Sequence, residues 1–164
     1  MKKTGLLLLA VVMVAGFAGC GGGDDDSGGM FNFNGRWAYQ GIVVKSNVPA
    51  LPVGKLIKDV ATITASGNDI SVDFPGDTPP ATGTCDPVSG TFQVKVVHNG
   101  LLSVTAGHST DSDAMAGNEV WTQGTTRVEI DWTMTLDSRM VGTPEGVSWD
   151  TAAGAFVNAA NAGR

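Results

Sequence analysis

The chain has 164 residues, of which 42% are hydrophobic and 16% are charged, and its 16 acidic and 10 basic residues give a formal net charge of −6. This balance argues against nucleic acid as a partner, because nucleic-acid binding requires a basic surface. Two cysteines in the whole chain also exclude a disulfide framework.

The first residues have the three parts of a secretory signal. Lys2 and Lys3 give a positive start, an apolar run covers residues 6–14, and small residues precede Cys20. The apolar stretch, residues 5–19, is shorter than the roughly 20 residues that a membrane-spanning helix needs. The pattern therefore predicts that residues 1–19 are a cleaved signal peptide and do not form a retained anchor.

The sequence Phe17-Ala18-Gly19-Cys20 resembles the lipobox of bacterial lipoproteins. The resemblance implies that Cys20 becomes the first mature residue and is acylated on its sulfur and its new amino group. Gly21 follows it where an Asp would signal retention in the inner membrane, so the resemblance also implies the outer membrane. The alternative is an ordinary signal peptide that happens to contain a cysteine.

Residues 20–30 form the lipidated Cys20 and a predicted flexible tether of Gly, Asp and Ser, which has almost nothing to bury. Residues 31–164 have the size of a single domain. Lys2 and Lys3 lie in the signal, so the mature part keeps 8 of the 10 basic residues and all 16 acidic ones, a net charge of −8. Such a chain does not adsorb to anionic lipid, and its attachment to the membrane would depend on the acyl chains.

Short apolar segments, many of them alternating with polar residues, predict strands along most of the domain. Turn residues separate them: Gly, Pro, Asn and Asp. The clearest pair is the hairpin around Asn99-Gly100, a sequence that favours a type I′ turn. The strands are predicted at residues 36–44, 56–65, 70–74, 81–85, 92–97, 101–106, 114–122 and 127–136.

Two other segments receive different predictions. The polar residues 107–113 indicate a loop between two strands. From about residue 148 the apolar residues follow a helical period, with Ser148 as the N-cap and Gly163 near the end. This pattern predicts a short C-terminal helix that packs against the sheet.

Strands without helical crossovers exclude a parallel α/β sheet. The expected fold class is all-β, an antiparallel up-and-down barrel of about eight strands, with a β-sandwich as the alternative. Sequential tight hairpins favour the barrel, since a Greek-key sandwich needs a long crossing connection. Closure into a barrel also removes exposed sheet edges.

The sequence Gly35-Arg36-Trp37 resembles the Gly-x-Trp signature that opens the first strand of lipocalins and related calycins. In that family the Trp plugs the closed end of the barrel, and an Arg near the end of the last strand lies across it. The resemblance implies these barrel-closing roles for Gly35, Trp37 and Arg139. It also implies a helix after the eighth strand.

Residues for catalysis or metal binding are not evident in the sequence. His98 and His108 are interpreted as exposed side chains that could approach each other across the hairpin, yet two imidazoles alone make a poor metal site. Cys85 is interpreted as a small buried side chain. No nucleophile, phosphate-binding or zinc-protease motif occurs. We expect no catalytic residue, metal or cofactor, and a protein that is not an enzyme.

The barrel prediction favours a binding or carrier module for a small apolar ligand, because an eight-stranded barrel can hold one small molecule. One alternative is a protein-binding module such as a lysozyme or protease inhibitor, to which the acidic charge would steer a cationic partner. Another is a structural envelope lipoprotein without a ligand. The predicted pocket or core residues are Ile70, Val72, Phe74, Phe92, Val94, Val96, Trp132 and Met134.

Overall fold

A computed structural model describes residues 30–136 and 146–162. These residues form eight strands and one helix, whose bounds are β1 (Gly35–Ser46), β2 (Leu56–Ser66), β3 (Asp69–Asp73), β4 (Ala81–Asp86), β5 (Thr91–His98), β6 (Leu101–Asp111), β7 (Ala114–Gln123), β8 (Thr126–Leu136) and α1 (Trp149–Ala162). The predicted C-terminal helix is confirmed. The signal peptide, Cys20, almost all of the tether, Arg139 and Gly163 lie outside the described residues.

The strands form a closed antiparallel barrel in which each strand pairs with the next along the chain. β1 pairs with both β2 and β8, so the sheet has no free edge. Closure satisfies the backbone groups that an edge strand would leave open to neighbouring chains. The predicted up-and-down barrel is confirmed, and the alternative of a sandwich does not apply.

Tight turns with positive φ angles connect several of the strands. In the β5–β6 hairpin, Asn99 has a φ of 50° and Gly100 a φ of 85°. A type I′ turn needs positive φ at both central positions, and its twist matches that of the strands it joins. Asn and Gly adopt this region most easily, and the hairpin predicted from Asn99-Gly100 is confirmed.

The alternation of apolar and polar residues becomes the inside and outside of the barrel wall. Along β8, Val128, Ile130, Trp132 and Met134 are buried, while the residues between them are partly or fully exposed to solvent. Leu136, which the alternation assigns to the same inner face, is 45% exposed because it is the last residue of the strand. One face of an antiparallel strand can therefore be solvated while the other builds the core.

The polar loop predicted at residues 107–113 is wrong for residues 107–111, because β6 continues to Asp111 and pairs with β7 along this stretch; only residues 112 and 113 form the turn. His108 faces solvent on the outer surface of the strand, which explains the polar composition. The inward position is Gly107, opposite Gly117 on β7. A Cβ at either glycine would collide with the indole of Trp132, so both positions are small to admit that ring.

The two ends of the barrel are covered by different segments. Phe31 donates its backbone N–H to Pro87 in the β4–β5 connection at 2.8 Å, so the N-terminal residues cross one end. Helix α1 lies at the opposite end, where Asp150 contacts Thr78 of the β3–β4 connection and Asn161 contacts the end of β7. We call these the closed end and the mouth. In the described part of the chain, no helix has the length and hydropathy needed to cross a membrane.

Candidate ligand-binding site

The interior of the barrel contains a cavity of about 20 Å³ near the mouth. A volume of 10–15 Å³ accommodates the centre of roughly one water molecule, so the cavity is the size of one water. It is far smaller than the roughly 300–1,000 Å³ of a typical ligand pocket. Its walls are formed by Tyr39, Val72, Phe74, Thr78, Pro79, Ala81, Phe92, Val94, Val96, Ser103, Thr105, Glu119, Met134 and Trp149.

Most of the residues predicted to line a pocket do surround this cavity. The structure brings together Val72, Phe74, Phe92, Val94, Val96 and Met134 on its wall. Ile70 and Trp132 are buried as well, but they are not among the lining residues. Phe74, just beyond β3, stacks on Trp149 with a centroid distance of 5.3 Å and an interplanar angle of 1°. The apolar part of the candidate site was therefore found from strand alternation.

A buried carboxylate on β7 is the feature of the site that the sequence prediction missed. Glu119 is 2% exposed and lies on the cavity wall. Its inward direction follows from the β7 alternation, which also turns Met115 and Trp121 into the core. This alternation is the signal that could have revealed it, since a Glu at an inward position of a barrel strand is uncommon.

Four side chains from four elements donate hydrogen bonds to Glu119. Ser103 Oγ lies 2.6 Å and Trp121 Nε1 2.5 Å from Oε1. Tyr39 donates from its hydroxyl to Oε2 at 3.1 Å. Trp149 Nε1 approaches both oxygens, at 3.1 and 3.3 Å. The carboxylate is therefore well supplied with donors, as a buried charged group must be.

All four donors are neutral, which sets the electrostatics of this cluster. Among the described residues, the ion pairs join Lys45 and Arg127 to Glu129 on the outer surface, and none involves Glu119. Burial raises the pKa of Glu119 above its ordinary value, although the hydrogen bonds from its four donors act in the opposite direction. Burial, and then the negative charge of Glu119, raise the pKa of Tyr39 as well, so its hydroxyl keeps the proton that it donates.

Helix α1 places Trp149 in the barrel through its first turn. Ser148 caps the helix, since its Oγ accepts from the Thr151 N–H at 3.2 Å and its carbonyl accepts from Ala152 N–H at 3.0 Å. The Trp149 N–H, free of an intrahelical partner, donates to Asp59 Oδ2 of β2 at 2.9 Å. The indole then points inward, where it packs edge-on against Trp121 at 5.3 Å.

Two buried polar atoms in this interior have no hydrogen-bond partner among the described residues. They are the indole nitrogen of Trp132 and Oε1 of Gln123. An unpaired buried donor or acceptor costs about 1–3 kcal/mol relative to a paired one. With Thr105 on the cavity wall, these two atoms make the interior of the barrel partly polar.

Of the three residues expected to close the barrel, the structure describes Gly35 and Trp37. Trp37 is fully buried, donates its indole N–H to Phe33 O at 2.9 Å and lies 6.1 Å from Phe31, so it packs at the closed end. Gly35 opens β1 with a φ of 142°, a value that favours glycine. Arg139, the third of this set, lies outside the described residues.

Cys85 and the histidines lie away from the cavity. Cys85 is buried beside the β2–β3 turn, and burial followed by the charges of Asp69 and Asp86 raises the pKa of its thiol. The prediction that it is a small buried side chain is confirmed. His98 pairs with Leu101, whereas His108 pairs with Thr91 at the far end of the same hairpin. The idea that the two imidazoles approach each other is therefore wrong.

The fold and the site together describe a closed β-barrel whose interior carries a hydrogen-bonded carboxylate beneath a helix. Comparison of the chain with protein-family models and with curated proteins finds no match.

Proposed function

We propose that this protein is a lipid-anchored binding protein of the cell envelope that holds one small ligand inside its barrel. The observation that carries the proposal is Glu119, a carboxylate buried on the wall of the interior cavity. A core built only for stability gains nothing from a buried ionisable group, because apolar residues of similar volume are as stable or more stable. Ionisable groups with perturbed pKa values in a cleft are instead typical of functional sites.

The chemistry of the walls supports a ligand with an apolar body and one polar group. Val72, Val94 and Val96 from β3 and β5 form an apolar side. Ser103 and Glu119 from the neighbouring strands β6 and β7 form a polar side. Ligand sites commonly have this composition, in which apolar contact gives affinity and a few polar groups fix orientation.

Entry of such a ligand requires a movement at the mouth, because the cavity holds only one water-sized molecule. Helix α1 is the element that can move, since the barrel closes through β1 and β8 without it. Lids of this kind open on the microsecond to millisecond timescale in many proteins. Binding is then a competition between the ligand and the docked helix.

Native mass spectrometry tests the ligand proposal directly. Protein isolated from its own cells is expected to carry a co-purified small molecule, and the Glu119→Gln variant is expected to retain less of it. Thr133→Val on the exposed outer face of β8 is the matched control. A barrel that is always isolated empty, and whose tryptophan fluorescence no apolar dye changes, would contradict the proposal and favour a structural or protein-binding role.

The anchor is the second part of the proposal, and it is supported by the lipobox residues that end at Cys20. Phe31, the residue after Met30, hydrogen-bonds to Pro87 of the β4–β5 connection, so the tether joins the barrel at its closed end, which would direct the mouth away from the membrane. Metabolic labelling with a palmitate analogue tests it. We expect label in the wild-type protein and none in Cys20→Ser, and label retained in the variant would contradict the anchor.

A further inference from the structure

Trp149 fills the interior of the barrel although it does not belong to the barrel wall. Its indole comes from the first residue of α1 and is 2% exposed. It lies in a slot between Phe74, on which it stacks face to face, and Trp121, which it meets edge-on. The ring therefore has the environment that a flat aromatic ligand would have in an apolar pocket.

The indole also has the polar contact that a bound ligand would make. Its Nε1–H points between the two oxygens of Glu119, at 3.1 and 3.3 Å. Ser103, Trp121 and Tyr39 would still donate to this carboxylate if Trp149 left. The site would remain formed, and one direction of approach to the carboxylate would become free.

The helix that carries Trp149 packs on the mouth through five buried apolar residues and a small set of polar contacts. The buried residues are Trp149, Ala152, Ala153, Phe156 and Ala160. Asp150 Oδ1 accepts from Thr78 Oγ1 at 2.7 Å, and Gln123 donates to Asn161 at 3.1 Å. Just before the helix, an isolated bridge between Ile57 and Val147 joins the backbone to β2. Undocking α1 breaks these contacts and leaves every strand pair of the barrel in place.

Removal of the indole would extend the small cavity into a flat slot next to a carboxylate. The slot would be lined on one side by the face of Phe74, which is parallel to the indole, and at its border by Trp121, which stands at 73° to it, with Thr105 nearby on the cavity wall. Such a shape selects a planar ring, and the two acceptor oxygens of Glu119, which pair with no cation among the described residues, select a hydrogen-bond donor over an acceptor. An N–H group, neutral or cationic, meets both requirements.

We propose that the seat of the Trp149 indole is the ligand site, that its ligand is a planar aromatic molecule with an N–H donor, and that α1 is a lid whose own indole competes with that ligand. This inference rests on the proposed binding function and adds to it the chemical class of the ligand. Glu119 accepts the hydrogen bond from the N–H group of the ligand, and the Trp149 indole occupies the site when no ligand is present.

Indole is the probe for this site, with indene as the matched molecule of similar shape that lacks the N–H. The protein is the mature chain from residue 20 with Cys20→Ser, so that neither a lipid nor a second thiol interferes. Nuclear magnetic resonance follows the indole N–H signals of the tryptophans, with Trp149→Phe to assign the signal of interest. We expect saturating indole to move the Trp149 signal to the position of a solvent-exposed indole, and indene to bind about tenfold or more weakly.

A reversible lock on α1 tests the competition. The hydrogen bond between Thr78 and Asp150 brings these side chains together, so the pair Thr78→Cys and Asp150→Cys can form a disulfide across the mouth. We expect the oxidised pair to lose indole binding at least tenfold and the reduced pair to regain it. Thr78→Cys alone, treated with the same oxidant, is the control and should bind indole in both conditions.

The outcomes separate this inference from the proposed function. Indole that binds without moving the Trp149 signal, or that binds equally well to the locked protein, overturns the seat and the lid but leaves a binding barrel. A wild-type protein whose Trp149 signal never moves overturns the inference even if another molecule co-purifies. Absence of both indole binding and any co-purified molecule overturns the two proposals together.

Discussion

The two ends of the barrel are closed by aromatic side chains, but the contacts that hold them differ in kind. At the closed end, Phe33 and Trp37 are fully buried and bonded through a tryptophan N–H and a backbone carbonyl. At the mouth, the contacts come from helix α1, which is not part of the sheet. Trp149 donates to the carboxylate of Glu119, and Asp150 accepts from the hydroxyl of Thr78. Both ends contribute to one apolar core, but the mouth is covered by a helix that takes no part in the closed sheet.

Stability and function can therefore depend on opposite ends of one small barrel. The closed end gains from apolar burial that no other partner could replace. The mouth is also stabilised by apolar burial, and it adds hydrogen bonds that a ligand could make instead. Local opening free energies in proteins range from near zero up to the global value, and binding elements are found at the low end of this range.

The largest effect is expected from Trp37→Ala at the closed end. Removing a fully buried Trp from a packed core costs about 3–5 kcal/mol of unfolding free energy. Chemical denaturation of the whole domain should show this loss. Hydrogen exchange should become faster in the barrel strands and in α1 to the same extent. If α1 loses protection before the barrel strands do, the two ends are not independent of each other.

Phe156→Ala tests the same comparison from the mouth. Phe156 lies on the buried face of α1 and packs edge-on against Trp121, with ring centroids 5.9 Å apart. Its loss should lower the free energy that docks α1 by up to about 3 kcal/mol, because the barrel beneath stays closed. Hydrogen exchange should rise in α1 first. If the barrel strands exchange faster to the same extent as α1, the helix is an integral part of the core and the lid is excluded.

The pH dependence of stability tests the carboxylate. A carboxyl group whose pKa is higher in the folded than in the unfolded protein contributes its full stability below the unfolded value of about 4.3. That contribution is lost as the pH rises through the folded pKa. The unfolding free energy of the wild type minus that of Glu119→Gln should therefore fall with increasing pH. The fall is about 1.4 kcal/mol for each unit by which burial raises the pKa of Glu119.

Protonation is feasible because the hydroxyls of Tyr39 and Ser103 can rotate to accept a hydrogen bond from the carboxyl group. Urea titrations at several pH values between about 4 and 8 measure the effect. A difference that stays flat or increases with pH would show that the four donors outweigh the burial of Glu119.

The smallest effect is expected from Thr78→Val, which removes the hydrogen bond to Asp150 without changing the shape of the side chain. A hydrogen bond of this kind contributes about 0.5–1.5 kcal/mol. The loss should appear as faster hydrogen exchange in α1, with the global stability nearly unchanged. Thr133→Val on the outer wall serves as the control and should alter neither quantity.

Much of the fold could be predicted from the sequence because the information is local. Alternation along β8, the Asn99-Gly100 turn and the helical period after Ser148 each depend on residues close together in the chain. Short connections between such strands favour the sequential antiparallel order of the barrel. The loop predicted at residues 107–113 failed because solvent-facing polar residues on a long strand look like a loop when their inward partners are small, as Gly107 is.

Only the tertiary structure decided what the interior contains. The sequence alone could place Glu119 on a strand, but its four donors come from β1, β6, β7 and α1. The pattern around Trp149 gave the helix and its apolar stripe, yet the entry of that indole into the barrel depends on the docking of α1 at the mouth. Local sequence determines the elements, because their period is local. Which side chains meet inside is decided by packing and hydrogen bonding between residues as far apart as Tyr39 and Glu119, which no local pattern contains.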